Sequence, residues 1–272
     1  MRLVHLIFRV VLVSIFGICL LEGIAESQTQ ATATKDPQAI SVLNQSLNAI
    51  GGLSAIAGIQ DYTGSGTITY YWADQPVQAP VTIRGMGLED YRVDASLPEG
   101  TRTWACSDGI SGVLITPDGQ TQASPFYNLM TEGSRTLPYV RIAAEVMDSS
   151  TSIEYVGLVT TKGQQDYQIH FSQTIPTNST SSKLANLGEF DLYIDPISHL
   201  VTKLTETVRS ETDFATTFLR EIDFSNYQSS GNVLIPFSIS EEINGQETWS
   251  IALTSVTFNS GLTDAIFNPL QN

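Results

Sequence analysis

The chain has 272 residues, with 28 Asp and Glu against 13 Lys and Arg and a net charge of −15. A surface this acidic repels phosphate backbones, which excludes nucleic acid as a partner. With two cysteines, one of them in the first 25 residues, the chain cannot be a disulfide-built scaffold.

Arg2 and Arg9 give a positive start, Val10 to Leu21 is an apolar run of 12 residues, and Gly23-Ile24-Ala25 supplies small residues. That three-part layout reads as a secretory signal peptide over residues 1–25, cleaved at Ala25 or at Ser27. The run falls short of the roughly 20 residues that cross a bilayer, so no stable membrane span is expected. Cys19 follows Ile18 rather than a small residue, which argues against lipid attachment there. The expectation is an exported, periplasmic protein. Cleavage leaves 11 basic against 27 acidic residues and a net charge of −16. It also leaves Cys106 without an intrachain partner, so an apolar core must hold the fold by itself.

Residues 26–35 are polar and read as a flexible leader, with a single domain over residues 36–272. Asp36-Pro37 marks a helix start, an N-cap followed by proline at the first helical position. Ile40, Leu43, Leu47 and Ile50 then recur at spacings of three and four, one apolar stripe that Gly51-Gly52 ends. A short second turn covers Leu53 to Ile59.

From Tyr62 the period becomes two. Strands are predicted at Tyr62–Trp72, Val77–Gly85, Leu88–Ala95, Thr101–Ser107 and Gly112–Thr116. Ser124 to Asp148 breaks the alternation: Phe126, Leu129 and Met130, then Val140, Ala143, Ala144 and Met147, lie at helical spacing, which predicts two short helices. Strands return at Ser152–Thr161, Asp166–Thr174, Gly188–Ile194, Leu200–Arg209, Thr216–Ser225, Val233–Glu242 and Thr248–Asn259, with a polar loop from Ile175 to Leu187. Between two of them, Asp195-Pro196 sets a tight turn, because Asp can accept from amides two residues on and Pro presets φ.

Roughly a dozen consecutive strands with hairpin-length links imply a mainly β fold, one large antiparallel sheet that twists and must curl. Its inner face would carry Tyr167, Ile169, Phe171, Leu192, Ile194, Phe218, Ile222, Phe224, Trp249, Ile251 and Leu253. Only the N-terminal helix and the pair between Phe126 and Met147 are available to cover that face, which gives a curved sheet under a helical lid.

Four segments resemble exported LolA-like proteins. Ala49-Ile-Gly-Gly-Leu53-Ser-Ala-Ile56 ahead of Asp61-Tyr62-Thr-Gly64-Ser-Gly66 is similar to their opening segment. Tyr193-Ile-Asp195-Pro196-Ile-Ser198-His-Leu200-Val201 is similar to their strand–turn–strand signature. Phe224-Ser-Asn226-Tyr227 with Gly231 and Ile235-Pro236 resembles a third piece, in which Asp is expected at position 226. Trp249 to Phe267, with Asn259-Ser-Gly261-Leu and Asp264-Ala-Ile-Phe267, is similar to their closing strand and tail. The resemblance implies an unclosed β-barrel with a lid of helices and an apolar cavity for acyl chains of lipids or lipoproteins. Neither Arg135 nor Arg141 sits in a motif matching the Arg that latches the lid of the best-known carriers.

Two readings of function follow. In the first, the chain is a non-enzymatic carrier of a lipid, a lipoprotein acyl chain or a similar apolar ligand. Its cavity is then lined by Leu43, Leu47, Phe126, Leu129, Met130, Val140, Met147, Ile169, Phe171, Leu192, Phe218, Trp249 and Ile251. In the second, it is a structural or interaction module of the cell envelope with a solid core, presenting Tyr70, Tyr71 and Trp72 to a partner protein. Catalysis finds no support: no G-x-S-x-G elbow or H-E-x-x-H occurs, so neither a cofactor nor a metal is expected. His170 alternates toward the polar side of its strand, and His199 lies in a turn. Cys106 reads as a small buried hydrophobe. Glu241 and Glu242 point to opposite faces and read as solubilising charge on a sheet edge.

Overall fold

The computed structural model describes residues 33–72, 75–129, 135–173 and 187–268. The signal segment and Met130 lie outside these residues. The first helix, α1 (Pro37–Ala49), starts where the sequence places it, with the Asp36 carboxylate accepting from the amides of Gln38 and Ala39. It ends at Ile50 and the two glycines. Gly51 has φ 123°, and a Cβ there would lie 2.4 Å from the Asn232 carbonyl oxygen, so no side chain fits. A single turn, α2 (Leu53–Ala57), leads into the sheet.

The first six strands are β1 (Asp61–Tyr70), β2 (Val77–Met86), β3 (Asp90–Leu97), β4 (Gly100–Ser107), β5 (Ser111–Ile115) and β6 (Thr121–Ser124). A 3-10 turn at Phe126–Asn128 and the helix α3 (Pro138–Met147) separate them from the rest. The others are β7 (Thr151–Thr161), β8 (Gln164–Gln173), β9 (Phe190–Ile194), β10 (Val201–Arg209), β11 (Thr217–Ser230), β12 (Val233–Ile243) and β13 (Gln246–Phe258). All 13 form one sheet in the order β6-β5-β4-β3-β2-β1-β13-β12-β11-β10-β9-β8-β7, and every neighbouring pair is antiparallel. β6 and β7 are edges that do not pair with each other, so the barrel is unclosed.

Register explains which residues face inward. Ile68 pairs with Ile251 and Ile251 with Ile239, while Phe224 pairs with Ile239 and Phe171 with Phe190, so apolar positions fall in rows across the strands. These rows and the apolar faces of the helices form one core cluster. Beyond the last residue of β10 that pairs with β9, the Asn128 side chain substitutes for a strand. Its amide donates to the Arg209 carbonyl at 2.7 Å and its oxygen accepts from the Arg209 amide at 3.0 Å, tying the end of β6 to the end of β10.

Sequence and structure differ at five places. β6 (Thr-Gln-Ala-Ser) has no apolar alternation to reveal it, because an edge strand outside the core needs none. In place of the first expected helix of the middle pair stands a single 3-10 turn. Glu241 is not edge charge: β12 is an interior strand and Glu241 is buried. Tyr70 is buried too, whereas Tyr71 and Trp72 are exposed. Lys35, the last residue of the expected leader, forms a parallel bridge with Ile153 on β7.

Candidate functional site

The inner face of the sheet divides into a filled half and an open half. α1 and α3 fill the first. Tyr139 on α3 accepts from the Val201 amide at 2.9 Å, and Tyr227 donates to the Val201 carbonyl at 2.6 Å, pinning the helix over the start of β10. The Tyr62 hydroxyl bonds to Thr136 just before the helix, and Lys35 donates to the carbonyls of Glu145 and Val146 at its end. Arg141, buried on α3, pairs with Glu145 at 3.5 Å, donates to the Gly188 carbonyl and stacks 3.6 Å over the Phe190 ring. Burial pushes the Arg141 guanidinium below its usual range, and the nearby Glu206 and Glu145 carboxylates oppose that shift.

The second half holds a cavity of about 710 Å³, within the range of ligand pockets. Its apolar wall is Ile68, Tyr91, Val93, Trp104, Leu114, Trp249 and Ile251, drawn from β1, β3, β4, β5 and β13. Tyr70 and Trp72 stack at 3.9 Å beside it, and the Arg102 guanidinium lies 4.6 Å from the Trp72 ring. Asn128 and Arg135, from the segment that follows β6, also contribute to the wall. Burial pushes the Tyr70 hydroxyl up, so it stays protonated at neutral pH although Arg102 opposes the shift.

Charged side chains enter this wall from inward positions of central strands. Glu206 on β10 faces Arg220 on β11 across the ladder, both side chains 3% exposed, and the guanidinium donates from Nε and a terminal nitrogen to Glu206 Oε1. Glu241 on β12 lies 3.6 Å from Arg135 and accepts from the Thr248 hydroxyl. Glu206 and Arg220 do not stand out in the sequence because each sits in a strand rich in polar neighbours. The signal was nonetheless present: Leu204-Glu206-Val208 and Phe218-Arg220-Ile222 keep the inward phase.

Of the expected site residues, Trp249 and Ile251 lie on the cavity wall. Leu43, Leu47, Leu129, Ile169, Phe171 and Leu192 are buried in the core. Val140 and Phe218 are half-buried, whereas Phe126 and Met147 are 51% and 65% exposed. Neither α1 nor α3 contributes to the wall. Cys106 is buried with its thiol toward the Glu89 carbonyl. His170 pairs with Asp191 at 2.9 Å on the outer face. Among the described residues no group of three or more His, Cys, Asp or Glu could hold a metal ion, and no helix is long and apolar enough to cross a membrane.

The sequence matches no family model and no curated protein. Solved structures do resemble the chain. A domain named for outer-membrane lipoprotein sorting, from Vibrio parahaemolyticus, superposes with a TM-score of 0.52 at 11% identity over 86% of this chain and 97% of its own. A LolA superfamily protein from Nitrosomonas europaea gives 0.50 at 11% identity over 84% and 96%. The fold is LolA-like. A DUF1329 family protein from Desulfovibrio piger shares it, with a TM-score of 0.52 at 10% identity over 84% and 96%.

The LolA-like segments quoted from the sequence are the joints of this architecture. Asp61 opens β1 and accepts from the amides of Ser260, Gly261 and Leu262, which fastens the chain beyond β13 to the start of the sheet. Burial pushes the Asp61 carboxyl up, but the hydroxyl and amide bonds from Ser260 to Leu262 outweigh it and hold the group below its usual range. In the β9–β10 turn, Asp195 accepts from the amides of Ile197 and Ser198, as expected for Asp at the start of a tight turn.

Proposed function

We propose that this chain is an exported, periplasmic carrier or binder of a lipid, a lipoprotein acyl chain or a similar apolar ligand. The observation that carries the reading is the 710 Å³ cavity walled by tryptophans and branched aliphatics, left open where the helices fill only half of the concave face. Each methylene group moved from water into such a cavity contributes about 0.8 kcal/mol, so an acyl chain gains affinity with length. The LolA-like fold of lipoprotein-sorting structures agrees with that use, and neither a catalytic group nor a cofactor is needed for it. Release would require a membrane or an envelope protein that competes for the ligand.

Native mass spectrometry of the protein purified from the periplasm, with lipid analysis of an organic extract, tests the reading. A stoichiometric adduct of acyl-chain mass that disappears on extraction is expected. Bare protein that also takes up no added fluorescent fatty acid would overturn the reading in favour of an envelope module with no cargo.

A further inference from the structure

The cavity wall contains four of the chain's arginines, Arg102, Arg135, Arg209 and Arg220, against three carboxylates, Glu211, Glu241 and Glu247. With Glu206, which pairs with Arg220, the charges at the wall balance, in a chain of net charge −15. Two of the four are neutralised by the protein, Arg220 by Glu206 and Arg135 by Glu241. Arg102 and Arg209 form no ion pair with any described residue. Arg102 is held instead by the rings of Tyr70 and Trp72, at 5.7 and 4.6 Å. Arg209 lies 4.1 Å over Phe214 and donates to the Phe214 carbonyl, while its Nε is buried with no acceptor.

Aromatic stacking orients a guanidinium and leaves its charge uncompensated, so a polar edge remains for an anion. The wall is also graded. Trp72 is 51% exposed, whereas Ile68 and Ile251 are each 2% exposed and Tyr91 1%. A charged group beside Arg102 therefore sits near solvent while a hydrocarbon tail reaches the buried aliphatics.

We infer that the cavity selects amphiphiles with an anionic head, carboxylate or phosphate, for which Arg102 and Arg209 supply the countercharge. This rests on the lipid-binding reading and narrows its ligand class. An uncharged lipid of the same length would leave both guanidiniums without a counter-ion. Hydrogen bonds to a charged partner are stronger than neutral ones, and a tenfold gain in affinity corresponds to about 1.4 kcal/mol.

The test is titration of delipidated protein with dodecanoate, dodecyl phosphate and dodecanol below their aggregation limits, followed by tryptophan emission, since Trp72, Trp104 and Trp249 line the cavity. The two anions should bind at least about tenfold more tightly than the alcohol. Arg102→Gln should reduce that preference to about threefold or less, and Arg209→Gln should reduce it in the same direction. Arg102→Lys, which keeps the charge, should retain most of it. Equal binding of anion and alcohol overturns the inference and leaves lipid binding intact. Displacement of dodecanoate by inorganic phosphate alone would overturn it in favour of a simple anion site. Failure of all three ligands to bind would overturn the lipid-binding reading itself.

Discussion

Glu206 and Arg220 show what a buried charge costs and what it requires. Each side chain is 3% exposed, so each has lost its water and relies on the charge of its partner. Removing one leaves the other buried and uncompensated, which costs about 3–5 kcal/mol, whereas replacing both with apolar residues of similar volume is often neutral. Arg220→Met should therefore lower the unfolding free energy by about that amount in urea denaturation. The double variant Glu206→Leu/Arg220→Met should recover most of the loss. A single variant as stable as the native protein would show that the pair is not desolvated.

Among the elements, the junction of α1 with the β11–β12 hairpin leaves little room for change. Gly51 combines a left-handed φ of 123° with a carbonyl oxygen 2.4 Å from the position of any Cβ, and next to it the Leu234 amide donates to the Ile50 carbonyl at 2.9 Å. Gly51→Ala should destabilise by more than about 1 kcal/mol, from strain and clash together. Thermal unfolding measures the loss, and hydrogen exchange should show it first at the Leu234 amide. Gly52, with a positive φ of 91° but open space around it, should tolerate Ala better. Much of this was legible beforehand: the double glycine after an apolar stripe announces a helix end. The identity of the carbonyl that forbids a side chain was not, because Asn232 lies 181 positions away in the chain.

At the scale of the molecule, the half-filled concavity predicts that stability and binding can be separated. Leu114 on β5 lines the cavity and is only half-buried, so Leu114→Trp fills empty space with little overpacking. Uptake of a fluorescent fatty acid should fall by about tenfold or more while the melting temperature changes little. Unchanged uptake would place the ligand elsewhere on the protein. A core substitution on the buried face of α3, such as Ile142→Ala, should do the reverse and cost about 2–5 kcal/mol of stability.

By itself the sequence determined the antiparallel meander, the leading helix and its cap, the turn at Asp195-Pro196 and the LolA-like likeness. These rest on local physics: alternation, capping, and side chains bonding amides two or three residues away. Only the tertiary structure decided which apolar residues fill the core and which wall a cavity, because Ile169 and Ile251 carry the same inward signal in the sequence. Both belong to the core cluster, and of the two only Ile251 also lines the cavity. The inward charges were decided there as well. A carboxylate on an apolar strand face is admissible only when a counter-ion from a neighbouring strand meets it, and that meeting depends on register across the sheet rather than on any local pattern.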